Sequence, residues 1–77
     1  MKILVTDDSK MARKMVIKTL NESTNIQLEI LEAQNGAEAL ELYKQNLPKL
    51  VFLDLTMPIM DGFETLERIK EFNNEKK

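Results

Sequence analysis

Apolar residues along this chain fall into strand-like runs separated by helical stripes. Lys2 to Thr6 (KILVT) is a short β-rich run that ends at Asp7-Asp8. Ser9 follows as an N-cap, with Asp8 the rival for that position. From Lys10 to Leu20, the apolar residues Ala12, Met15, Val16 and Leu20 keep helical spacing. That stripe predicts a helix with Lys10, Arg13, Lys14 and Lys18 on its wet side. After the polar connection Asn21 to Asn25, Ile26 to Ala33 alternates as a half-exposed edge strand should. Asn35-Gly36 fits a hairpin turn, but Gly36 to Gln45 is rich in helix formers. Ala39, Leu40, Tyr43 and Leu47 keep helical spacing, so a helix is expected there, stopped by Pro48. Leu50 to Leu53 is a continuous apolar run, suited to a strand buried on both faces. Gly62 to Asn73 is a third helical pattern, with Phe63, Leu66, Ile69 and Phe72 as its apolar side. Glu64 and Arg68 form a favourable i, i+4 pair on it.

The order β-α-β-α-β-α predicts an α/β fold with a parallel sheet and right-handed crossovers. Linkers, repeats and low-complexity segments are lacking, so residues 1–77 are expected to form one domain. A net charge of −2 supplies no basic footprint for nucleic acid and no polybasic patch for a membrane. No apolar run approaches the roughly 20 residues that span a bilayer, and no signal-type segment precedes the first strand. A cytoplasmic setting is the expectation. With Cys and His both absent, thiolate and imidazole chemistry is excluded. Chemistry on this chain must use carboxylates, hydroxyls, Lys and Arg.

The carboxylates have a pattern. Asp54 ends the Leu50–Leu53 run, and the carboxyl ends of strands are where open α/β sheets bind ligands. Asp7 and Asp8 end the first run, so three carboxylates converge if those strands are neighbours. Their mutual repulsion is relieved most simply by a hard divalent cation such as Mg²⁺. The bland alternative is that Asp54 caps a turn and Asp7-Asp8 favour a helix dipole. A cation beside a carboxylate nucleophile points to phosphoryl transfer onto that carboxylate, giving an aspartyl phosphate.

Val5-Thr6-Asp7-Asp8-Ser9, Asn35-Gly36 before a helix, and Val51 to Gly62 (VFLDLTMPIMDG) together resemble the response-regulator receiver domain of two-component signalling. The resemblance implies a flavodoxin-like, receiver-type βαβαβα half: three parallel strands in the order 2-1-3, with helices on both faces. It implies Asp54 as phosphoacceptor and Asp8 as a direct Mg²⁺ ligand, with Asp7 acting mainly through water. The backbone carbonyl of Thr56 would add a ligand, Pro58 and Gly62 would shape the loop, and Asp61 would serve as a loop and cap residue. The implied phosphodonor is a phosphohistidine on a sensor histidine kinase or phosphotransfer protein. Kinase choice would depend on first-helix residues such as Met11, Lys14 and Met15, although methionines there also suit core or interface packing.

The chain corresponds to the first three β-α units of such a domain. The family's fourth-strand Ser/Thr and fifth-strand Lys have no counterpart here, and Lys49 and Lys70 stand at the wrong places to replace them. A truncated receiver leaves its third strand as a bare apolar edge, so homo-oligomerisation through that edge is expected. A rival reading is a structural half-domain that dimerises, with or without Mg²⁺, and transfers no phosphate. An aspartyl-phosphate phosphatase fits poorly, because haloacid-dehalogenase-type enzymes need a second Asp where this chain has Thr56. P-type ATPases need Asp-Lys-Thr-Gly, which Leu55 and Met57 break.

Overall fold

The structure, a computed structural model, describes residues 1–55, 57 and 60–75. Its elements are β1 (Lys2–Thr6), α1 (Lys10–Ser23), β2 (Glu29–Ala33), α2 (Gly36–Asn46), β3 (Leu50–Leu53) and α3 (Gly62–Glu75). The strands form one parallel sheet in the order β2-β1-β3, as the resemblance implied. β1 is central and buried on both faces, with Ile3, Leu4 and Val5 at most 2% exposed. The fully apolar β3, expected to be buried on both faces, instead lies at the side of the sheet and is only partly covered, with Leu50 41% exposed.

Alternation along the strands divides the core. Leu4 packs with Ala33 and Ala39, and Leu31, Leu42, Tyr43, Val51 and Leu53 surround that cluster. This face is covered by α2, against which α3 packs in turn. Phe72 meets Tyr43 edge to face at 6.1 Å between ring centroids. Lys44 Nζ lies 5.8 Å from the centre of the Phe72 ring, and the Tyr43 hydroxyl is hydrogen-bonded to Asn73. Among the described residues, the other face carries α1 alone. No residue of α1 is fully buried, which is what a helix without a neighbour beside it should show.

Local signals explain the helix boundaries. Ser9 Oγ accepts a hydrogen bond from the Ala12 N–H at 3.2 Å, so Ser9 caps α1 and its rival Asp8 stays exposed. Asn35 Oδ1 accepts from the Glu38 N–H at 2.8 Å, which settles Asn35-Gly36 as a helix start. Glu38 reaches back past the cap and accepts from the Gln34 N–H at 3.4 Å. Gly36 is buried where an added Cβ would collide with the Met60 carbonyl and Thr65.

Several expectations shift. β2 begins at Glu29, so the Ile26–Leu28 part of the predicted strand lies outside it, with Ile26 63% exposed. The half-buried stripe of α1 is Ala12, Arg13, Val16, Ile17 and Leu20, while Met15 is exposed. Arg13 therefore faces the sheet, contrary to its expected wet position. Met11 and Met15 are exposed and do not pack in the core. On α3 the buried line is Gly62, Thr65 and Ile69, and Phe63 and Leu66 face solvent. Arg68 pairs with Glu71 at 3.6 Å, an i, i+3 contact replacing the expected one with Glu64. Among the described residues, no helix is long and apolar enough to cross a membrane.

α2 ends on Leu47, whose φ of 48° is the left-handed conformation that glycine adopts at least cost. Its N–H still donates to the Tyr43 carbonyl at 2.8 Å, while its side chain is 49% exposed and contributes little packing. Leu47→Gly should therefore raise stability by about 1 kcal/mol, read as a shift of the urea midpoint.

Candidate functional site

Parallel register determines what meets at the carboxyl edge of the sheet. Thr6 is paired with Ala33 on one side and with Leu53 on the other. The ladder runs one residue further on both sides: Asp7 N–H donates to the Ala33 carbonyl at 3.1 Å, and Asp54 N–H donates to the Thr6 carbonyl at 3.0 Å. Asp7 and Asp54 are thus the next residues of adjacent strands, carried there by hydrogen-bonded backbone. Asp8 follows directly. A carboxylate oxygen from each of Asp7, Asp8 and Asp54 lies within 4.8 Å of those of the other two.

Asp7 and Asp54 are half-buried and Asp8 is exposed, so the cluster opens to solvent on one side. Val5, Thr6, Val16, Phe52 and Leu53 join Asp7 and Asp54 around a cavity of about 200 Å³. Asp7 Oδ1 accepts from the Ser9 N–H at 2.9 Å, which ties one carboxylate to the turn entering α1. The positive end of the α1 dipole adjoins the cluster and lowers the cost of gathering negative charge there.

The donor set is chemically specific. Three carboxylate oxygens with no nitrogen or sulfur among them suit a hard cation. An octahedral ion with ligands at about 2.1 Å places their oxygens about 3 Å apart in cis and about 4.2 Å apart in trans. The oxygens of the observed cluster, all within 4.8 Å of one another, lie on that scale. Among the described residues, Asp7, Asp8 and Asp54 are the carboxylates that gather in this way, and Asp61 is not one of them.

Asp61 has another task. Its Oδ1 accepts from the Glu64 N–H at 2.8 Å, and its carbonyl accepts from the Thr65 N–H and hydroxyl. It caps α3, as expected of it. Thr56, the anticipated carbonyl ligand, and Pro58 lie outside the described residues. Gly62 is placed where loop shaping requires it. A Cβ there would stand 2.6 Å from the Asp54 carbonyl oxygen and 2.9 Å from the Leu55 Cα, both backbone atoms. Only glycine lets the start of α3 close on the peptide that carries Asp54.

Arg13 and Glu32 were missed as site neighbours. Arg13 Nη1 donates to the Asp7 carbonyl at 2.7 Å, and its Nε donates to Glu32 Oε1 at 2.9 Å. A signal was present. Arg13 stands three residues before Val16 and seven before Leu20, on the stripe that meets the sheet.

Gly62→Ala should cost about 1–3 kcal/mol of stability, because the obstacle is backbone. Amide chemical shifts should move at Asp54 and Leu55 and remain in place at Tyr43, on the far part of α2.

The model of the response regulator receiver domain matches residues 3–77. The chemotaxis protein CheY of Halobacterium salinarum is 44% identical over 71 residues, covering 92% of this chain and 57% of that protein. CheY of Bacillus subtilis is 42% identical over 72 residues, covering 94% of this chain and 58% of its own length. The chain thus spans a little over half the length of these two curated relatives. A protein-glutamate methylesterase/protein-glutamine glutaminase of Syntrophomonas wolfei is 41% identical over 70 residues, but these make up only 20% of that protein. Among solved structures, the CheX-CheY-BeF3-Mg complex from Borrelia burgdorferi superposes with a TM-score of 0.84 at 32% identity. That match covers 95% of this chain and 55% of the other. The N-terminal domain of a response regulator receiver protein from Methanoculleus marisnigri gives 0.79 at 42% identity, covering 90% and 54%. Fold, register and sequence agree: the chain belongs to the response regulator receiver domain family of two-component signalling.

Proposed function

We propose that this chain is a phosphoacceptor module in which Asp54 accepts a phosphoryl group beside a Mg²⁺ held by Asp7, Asp8 and Asp54, with the Thr56 carbonyl as a further ligand. The observation that carries this is the meeting of three carboxylates within 4.8 Å at the edge where β1 and β3 end. When bound, Mg²⁺ supplies charge neutralisation for the phosphoryl oxygens and the carboxylates. Asp54 is delivered by a stiff strand and kept close to its neighbours by Gly62, so its oxygen needs little reorganisation to reach phosphorus. An Asp54 oxygen forms the P–O bond as the P–N bond of a donor phosphohistidine breaks. The electron pair remains on the imidazole nitrogen, which takes a proton from solvent.

The donor in this reading is a sensor histidine kinase or a phosphotransfer protein. Exposed Met11, Lys14 and Met15 on α1 form the adjoining surface available to it. Residues 1–77 act as a single unit. Treated with acetyl phosphate and Mg²⁺, the chain should acquire an acid-stable, base-labile phosphoryl group, and Asp54→Asn should abolish it. Labelling that persists in Asp54→Asn would remove the assignment.

A second reading, a half-domain that self-associates without phosphotransfer, is favoured by the outer edge of β3. Among the described residues β3 pairs only with β1. Apolar side chains flank that edge on both faces. Leu55, Phe63 and Leu66 are 42–64% exposed, and Met15, Val16, Thr19, Leu20 and Phe52 line a groove of about 310 Å³. A second copy pairing edge to edge about a two-fold axis would cover both. Sedimentation equilibrium should show a dimer at micromolar concentration, weakened when Phe52→Lys places charge beside the edge. A compact monomer would exclude this assembly.

A further inference from the structure

Asp8 has no element of its own to hold it. It is exposed, it follows the last residue of the β1 ladder, and it precedes the cap of α1. What aims its side chain is the peptide plane joining it to Asp7, and the oxygen of that plane is the Asp7 carbonyl. Asp7 itself is fixed at two other points, by the Ala33 carbonyl through its N–H and by the Ser9 N–H at its carboxylate. The carbonyl is gripped by Arg13 at 2.7 Å, with the Arg13 side chain only 13% exposed.

We propose that Arg13 is a positioning residue for the acidic pocket, holding the Asp7–Asp8 peptide so that both carboxylates meet Asp54 around a divalent cation. The inference rests on the metal reading above and concerns how the ligands are held. Arg13 suits the task because its planar fork offers two donors in fixed relative directions. One donor takes the Asp7 carbonyl and the other takes Glu32 on β2, so the guanidinium is anchored to a strand on the far side of the site. Glu32 also balances its charge. A guanidinium paired there stays out of the carboxylate cluster and does not compete with the cation.

A brace for α1 would stabilise the fold without altering the pocket, and the two roles separate on metal affinity. The probe is Mn²⁺ binding to the whole 77-residue chain, read from the electron paramagnetic resonance of the free ion, with folding followed by circular dichroism and urea titration. Wild type should bind. Arg13→Ala should bind about tenfold or more weakly, the usual cost of losing a residue that orients metal ligands. Arg13→Lys, which keeps one donor for the carbonyl, should recover most of that loss, and Glu32→Gln should fall between. A folded Arg13→Ala that binds Mn²⁺ as wild type does overturns the proposal while leaving the metal site standing. A wild type that binds no Mn²⁺ overturns the functional reading and this inference with it. If Arg13→Ala fails to fold, Glu32→Gln decides: weakened binding supports the role, and unchanged binding overturns it.

Discussion

The parallel register of β1 with its two neighbours is the constraint on which the rest depends. Because Thr6 is in step with both Ala33 and Leu53, the next rungs bring Asp7 and Asp54 side by side. A slip of one residue on β3 would turn Val51 and Leu53 away from the core beneath α2 and move Asp54 off the pocket. The interior that holds the sheet and the register that assembles the carboxylates are therefore one constraint. Core residues such as Leu4 and Val51 are as much a condition of the site as the acids themselves.

Much of the fold could be read from the chain because its local signals agree. The apolar run Leu50–Leu53, the caps at Ser9 and Asn35, and the β-α alternation all lead to the same architecture. The strand order could not be obtained from periodicity and came through the family resemblance. The errors have a common physical origin. Apolar spacing identifies a helix but not which side the tertiary structure covers, and here α1 and α3 each have one covered side. Phe63 and Leu66 therefore face solvent while Thr65 is fully buried. Arg13 was placed outside because a cation is normally best solvated, and burial of its stem becomes favourable only when acceptors such as the Asp7 carbonyl are in place.

The acidic site was legible to the extent that it is a matter of strand ends. Asp7, Asp8 and Asp54 terminate recognisable strands, so a parallel sheet was enough to bring them together. What supports them was hidden. The role of Gly62 against the Asp54 peptide had been expected only as loop shaping, and the Arg13–Glu32 link joins residues on separate elements that no motif connects. Support of this kind depends on crossing geometry, which a linear pattern does not encode.

The register carries a consequence for the order of folding. The ladder contains no hairpin: Ile3 pairs with Ile30 and with Leu50, so each sheet contact closes a long loop that includes a whole helix. β1, the strand buried on both faces, is synthesised before either of its partners and gains the second only once β3 has followed. During that interval its side chains are exposed and its backbone is unpaired, which favours capture by other chains. Rapid local formation of the capped helices α1 and α2 shortens the interval by drawing the strand ends together. The caps at Ser9 and Asn35 therefore act on the yield of folded protein as well as on its stability.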